Sequence, residues 1–272
     1  MHRFYEHYSA FEPAINALFL APDDLMAIIA PDPFTLYCDA SGKEDDPLFV
    51  VAGAIGTVEG WKAFDRDRKL ALSDNELAYF RMSEFAQSSG EFAEGWRGHE
   101  DRRRAFLNRL IGIIVASVQC WIGAAVFRRD YDKADQVYEL REYLQPYPLC
   151  GVTCIEMAHT WMQANHVEYL NIEYVFESGD EHSGQLFRLT KEYFGKEPFF
   201  RTKLQATPLH LADFAAYEIR KAYGALDEES EELFGRFRTS FSLLSDITHR
   251  WGNLGEVAIR TGLNIRGVAK RK

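Results

Sequence analysis

The chain has 272 residues, 47% of them hydrophobic and 14% aromatic, with a formal net charge of -10. Such a composition excludes global disorder and supplies a large core, in one sizeable domain or two small ones. The acidity excludes a protein held to nucleic acid by blanket positive charge, so any polyanion it handles must meet a local basic patch or a bound cation.

Residues 1–31 mix aromatics with acids and close on the proline-bounded APDPF. They read as an N-terminal extension packed on the main body, with a short helix inside NALFLAPDDLMAIIA. FTLYCDA (34–40) and LFVVAGAIGT (48–57) read as strands. The short, turn-rich SGKEDDP between them predicts an antiparallel hairpin. VVAGAI, small and apolar on both faces, suits a central strand. From Glu59 to Leu72 the apolar residues recur at helical spacing, and AYFRMSEF (78–85) reads as a short strand running into a turn.

HEDRRRAFLNRLIGIIVAS (99–117) is the clearest helix, with Phe106, Leu110, Ile113 and Ile114 on one stripe and Arg102, Arg103 and Arg104 mostly outside it. QCWIGAAVF (119–127) is a buried strand, and residues 128–148 form a loop with a short helix. A helix over 150–166 precedes a strand over 168–178. SGQLFRLTKEYFG is a helix closed by Gly195, and 207–224 is a helix with Thr207 at its cap, Pro208 in its first turn and Gly224 at its end. Residues 225–272 read as a helical extension packed on the domain, which spans 32–224. The order predicts a mixed α/β architecture led by a hairpin.

The cysteines, Cys38, Cys120, Cys150 and Cys154, lie in apolar or helical settings with no spacing that completes a zinc site, so they read as reduced, buried thiols. No apolar run approaches the roughly 20 residues of a membrane helix. Glu6, Glu12, Asp23 and Asp24 interrupt any N-terminal signal pattern. A cytoplasmic protein without a membrane partner is expected.

Three acids occupy positions that a folded chain normally gives to apolar residues. Asp39 ends the first strand, Glu177 ends EYLNIEYVFE, and Asp213 lies in LHLADFAAYEI, a helix apolar on nearly every side. A buried, unpaired carboxylate costs several kcal/mol, so such acids shift their pKa, find a partner or bind a cation. Each has a structural alternative. Asp39 could accept the amides of Ser41 and Gly42 in a turn, Glu177 could be a solvated strand end, and Asp213 could pair with His210 or Arg220. Asp180 could cap the helix at 183 or join the acids as a further ligand. The set of three favours a metal site. Mg²⁺ or Mn²⁺ takes oxygen ligands, and two such ions about 3.5–4 Å apart activate a water and stabilise the leaving oxygen of a phosphodiester.

Among other candidates, His159 shares a stripe with Ile155 and Met162 and reads as a core histidine. His182, in GDEHSG just after Glu177, is placed to protonate a leaving group. Arg102, Arg103 and Arg104 with Arg128 and Arg129 form the best basic clusters, either solvated faces or phosphate contacts. GxSxG, GxGxxG and GxxxxGK[ST] patterns do not occur, so a serine nucleophile or a nucleotide cofactor is not indicated.

FTLYCDASGKEDDPLFVVAGAIG, FESGDEH and LQATPLHLADFAAYEIRKA, in that order across roughly residues 34 to 224, resemble the three motifs of a family catalogued as a domain of unknown function, DUF 3800. The resemblance implies a ribonuclease-H-like fold, a mixed sheet flanked by helices with acids meeting at one edge. It puts Asp39, Glu177 and Asp213 at the acidic positions and Glu84, in FRMSEF, near a further one. The chain departs from the pattern twice: Ala40 replaces the usual Glu after the first Asp, and Arg81 stands where His is expected. The expected function is a Mg²⁺- or Mn²⁺-dependent phosphodiester hydrolase acting on DNA or RNA. The alternatives are a catalytically degenerate binding or scaffold module, or a metal-dependent hydrolase of a small phosphorylated molecule.

Overall fold

The chain divides into two units, residues 1–31 and 32–272. The computed structural model describes residues 33–43, 45–167, 172–226 and 249–254, all in the second unit. The expected N-terminal extension and its helix lie outside the described residues, as does most of 225–272.

Strand β1 (Phe34–Ser41) turns back into β2 (Leu48–Thr57), the predicted antiparallel hairpin. Gly42 makes that turn with φ of 111°, and a Cβ there would lie 2.8 Å from the carbonyl of Leu48. Helix α1 (Val58–Ser73) follows, capped by the Thr57 hydroxyl on the amide of Gly60. Next come α2 (Met82–Gln87), α3 (Glu100–Ser117) and β3 (Cys120–Phe127). Then α4 (Arg128–Tyr138), α5 (Pro146–Ala164), β4 (Ile172–Glu177) and α6 (Ser183–Phe194) lead to β5 (Phe199–Arg201), α7 (Leu209–Leu226) and β6 (His249–Asn253).

One six-stranded mixed sheet has the order β5-β4-β1-β2-β3-β6. β1, β2 and β3 are joined antiparallel, while β4 runs parallel to β1, β5 parallel to β4 and β6 parallel to β3. Strand alternation sends successive side chains to two separate cores. Val50, Ala52 and Ala54 of β2 and Trp121 of β3 meet Trp61 and Phe64 of α1, Phe106 and Leu110 of α3, and Phe214 and Ile219 of α7. Leu36, Cys38, Val51 and Ile122 point the other way, onto Tyr131 of α4, Leu149, Val152 and Ile155 of α5, and Leu186 of α6. Both faces of the central strands are thus covered, which explains why β2 and β3 carry almost no polar residue.

Several elements differ from the sequence reading. AYFRMSEF is not a strand: Met82–Gln87 is helical, and Leu77, Phe80, Met82 and Phe85 are buried at spacings that fit no single sheet face. They feed an aromatic cluster in which Phe80, Phe85, Phe92 and Phe106 lie 5.1–6.2 Å apart between ring centroids. α5 starts at Pro146 rather than 150, because proline in the first turn gives up an amide that has no helical partner. α7 starts at Leu209, with Thr207 and Pro208 in the preceding turn, and runs through Gly224 to Leu226. Of the strand expected at 168–178, residues 172–177 are β4 and 168–171 lie outside the described residues. Within the region assigned to a helical extension, His249–Asn253 is a strand at the sheet edge. All four cysteines are buried thiols outside any disulfide, as expected. Among the described residues no helix is long and apolar enough to cross a membrane.

Candidate functional site

The last registered pair between β1 and β4 is Cys38 with Phe176, so the next residues, Asp39 and Glu177, come side by side; Glu177 ends β4, but Asp39 does not end β1, which stays paired with β2 as far as Ser41. Cys38 and Phe176 fill the core under α5. Alternation then turns Asp39 and Glu177 to the opposite face, the one crossed by α7. Asp213, in the second turn of α7, meets them there.

A cation unrecognised in the sequence completes the arrangement. β5 pairs Glu177 with Arg201 and ends in a turn over 202–205, which brings Lys203 back over the acids. Its Nζ lies 2.7 Å from Glu177 Oε2, 2.9 Å from Asp39 Oδ2 and 3.2 Å from Asp213 Oδ1. One ammonium therefore gathers a carboxylate from each of β1, β4 and α7. Asp39 is the most enclosed, at 5% exposure. Its Oδ1 accepts the amide of Ala40 at 2.7 Å, not those of Ser41 and Gly42. Its Oδ2 is buried and lies in ion-pair contact with Lys203.

Burial pushes the Asp39 carboxyl well above the usual carboxylate range. Glu177 and Asp213 add to that push, and Lys203 opposes it. Burial alone would raise Glu177 too, but the hydrogen bond shared with Asp39 and the charge of Lys203 hold it below its ordinary value. Desolvation works against the ammonium, yet Asp39, Asp213 and Glu177 outweigh it and keep Lys203 protonated above the usual lysine range.

Asp180 lies within electrostatic reach of this group. Burial and the charge of Glu177 raise it to about 6, against the pull of Lys203 and His182. It does not cap α6 through its side chain; its backbone oxygen accepts Ser183 N, and the capping position falls on His182, which makes no side-chain cap bond. Glu84 is held elsewhere, its Oε2 accepting the Tyr79 hydroxyl at 2.8 Å and its Oε1 lying 3.6 Å from Arg81. Arg220, offered as a partner for Asp213, binds Asp46 at 2.6 Å. Tyr147 is a second residue that the sequence did not single out. Its hydroxyl is buried with no hydrogen bond, and burial, then Asp180, Cys38, Asp39 and Glu177, raise its pKa. His210, on α7, is lowered to about 4 by burial and by the charges of Arg68 and Lys203, with its Nδ1 buried and unbonded.

Among the described residues no group of three or more His, Cys, Asp or Glu side chains is arranged to hold a metal ion as it stands. At the acid cluster the reason is visible: the carboxylates are spread around an ammonium at 2.7–3.2 Å, wider than the roughly 2.0–2.1 Å that Mg²⁺ requires. The donor set itself, three carboxylates, is of the type that hard divalent cations take.

Of the arginine clusters only Arg103 is enclosed; Arg102, Arg104 and Arg129 keep exposed side chains. Arg103 is buried at 9% exposure, donates to the carbonyl of Phe85 and stacks on its ring. Arg102 stacks on Trp96, Arg104 lies 3.9 Å from Asp101, and Arg128 binds Asp132 and Asp45. Comparison with protein-family models, curated proteins and solved structures returns no match to the chain.

Proposed function

We propose that the chain is a divalent-metal-dependent phosphodiester hydrolase of ribonuclease-H-like fold, related to the DUF 3800 family and acting on DNA or RNA. The observation that carries this reading is the convergence of Asp39, Glu177 and Asp213, from β1, β4 and α7, on one point. A mixed sheet with helices on both faces agrees with it.

Asp39, Glu177 and Asp213 would hold Mg²⁺ or Mn²⁺, with Asp180 as the next carboxylate available. When bound, such a cation supplies an activated water and offsets charge on the leaving oxygen. His182, at the start of α6 just beyond Glu177, is the residue offered as proton donor to that oxygen. Glu84 has no part, because Tyr79 and Arg81 engage it.

The test is cleavage of single-stranded, duplex and hybrid substrates by the purified chain with Mg²⁺ or Mn²⁺. Asp39→Asn is expected to lower turnover by at least about 100-fold, the scale of removing one group that stabilises transition-state charge. Equal activity in the variant, or none on any substrate from the parent, would end the reading. One observation favours a second reading, a non-catalytic binding module: a lysine already pairs with all three acids. Silence on every substrate together with retained fold would support it.

A further inference from the structure

We propose that Lys203 occupies the seat of the divalent cation and that the metal binds only by displacing its ammonium. This inference rests on the metal-site reading above.

The Nζ contacts one oxygen from each of the three acids at 2.7, 2.9 and 3.2 Å. A divalent ion drawing on the same three oxygens has to sit where the nitrogen is. The two cannot share the place: charges of one and two units within about 3 Å repel strongly in a half-buried site. A carboxylate released by one is available to the other, so occupancy is exclusive.

The lysine is placed to leave. It belongs to a turn that closes on itself, with the amide of Gln205 donating to Thr202 O at 2.9 Å and Gln205 Oε1 accepting the amide of Thr202 at 3.0 Å. The side chain of Lys203 can swing out without unmaking those bonds. Its neighbour Leu204 is 98% exposed, so nothing among the described residues packs over the outer side of the turn. The four-carbon stem of lysine reaches solvent readily, and the ammonium is strongly hydrated once there. With the metal absent, the ammonium shields the three acids from one another. With the metal present, it stands free at the rim, where an anionic substrate would arrive.

The experiment measures Mn²⁺ binding by titration calorimetry to the full chain and to Lys203→Met. The variant is expected to bind at least about tenfold more tightly, since the ion no longer has to break charge-assisted contacts. A second measurement needs only the parent protein: reductive methylation of lysines, followed at Lys203 by peptide mass spectrometry. Mg²⁺ is expected to raise the modification of Lys203 severalfold while leaving Lys62 unchanged. Equal or weaker Mn²⁺ binding by the variant overturns the proposal while leaving the metal-dependent reading intact. So does a parent that binds Mn²⁺ with Lys203 still protected. Binding by the variant alone overturns displacement in the parent and, with it, the hydrolase reading for the parent chain. Binding by neither overturns both.

Discussion

Replacing Lys203 by methionine in the presence of a chelator isolates what the ammonium does for the fold. Methionine keeps most of the stem and removes the charge. The parent holds three carboxylates around one nitrogen, with side-chain exposures of 5% for Asp39, 24% for Glu177 and 31% for Asp213. Taking one partner from a buried ion cluster costs about 3–5 kcal/mol, because the charges left behind are neither hydrated nor paired. Glu177 and Asp213 are partly wetted, so the lower end applies, about 3 kcal/mol. For a protein of this size that corresponds to a fall in Tm of roughly 6–12 °C. Urea unfolding at pH 7, followed by tryptophan fluorescence, would measure it. The sign of the pH dependence adds a second check. Without the ammonium the acids repel, their folded-state pKa values rise, and the stability of the variant recovers as pH falls and protons replace the missing charge. A variant within 0.5 kcal/mol of the parent at pH 7 (roughly the scatter of an ordinary surface substitution), or a deficit that grows on acidification, would refute the account of Lys203 as the counter-ion of the site.

Gly53→Ala is expected to block folding or cost more than about 3 kcal/mol. The new Cβ would lie 1.7 Å from the carbonyl oxygen of Tyr37 across the hairpin, a contact that only a backbone shift relieves; soluble yield and circular dichroism would report it. His210 and His159 are both held near 4, His210 by burial, Arg68 and Lys203, and His159 by burial and Lys196. A depressed histidine contributes stability that is present above about 6.5 and is lost as pH falls from there to about 4. Chemical denaturation across that window should therefore show stability falling with acidity, and His210→Gln should flatten the slope. A slope unchanged in the variant would mean that His210 titrates normally.

The strands were readable because their apolar runs are long and their boundaries are marked, as in FTLYCDA and LFVVAGAIGT. β5 escaped because FFR is only three residues long and borrows its register from β4. Met82–Gln87 was misread because its buried residues answer to a cluster of aromatic rings rather than to a sheet face. Of the site, the three acids were legible from their incongruity: each is a charge where the local pattern demands an apolar residue. Lys203 was not, because a lysine in a turn is ordinary and only the return of the chain after β5 carries it over the acids. A charge-balance argument would have asked which cation answers three enclosed carboxylates, but the segments between the acidic motifs hold many lysines and arginines, and spacing does not choose among them. Tyr147 was invisible for the same reason as any helix aromatic, since its distinction lies in an unbonded hydroxyl and not in its spacing. Glu84 and Arg103 show the opposite error, where a charged residue looked available and tertiary contacts had already engaged it.

α7 supplies Phe214, Ala215 and Ile219 to one face of the central strands and Asp213 to the acids. During synthesis that helix leaves the ribosome long after β1, β2 and β3. One side of the half-built sheet, including Val50 and Ala52, is then covered by α1 and α3 alone and must wait for the rest of its cover through about 80 further residues, from Phe127 to Leu209. An uncovered apolar sheet is the species on which misassembly starts. Translation speed and chaperone supply over that interval should govern the yield of this protein more than the stability of its finished form.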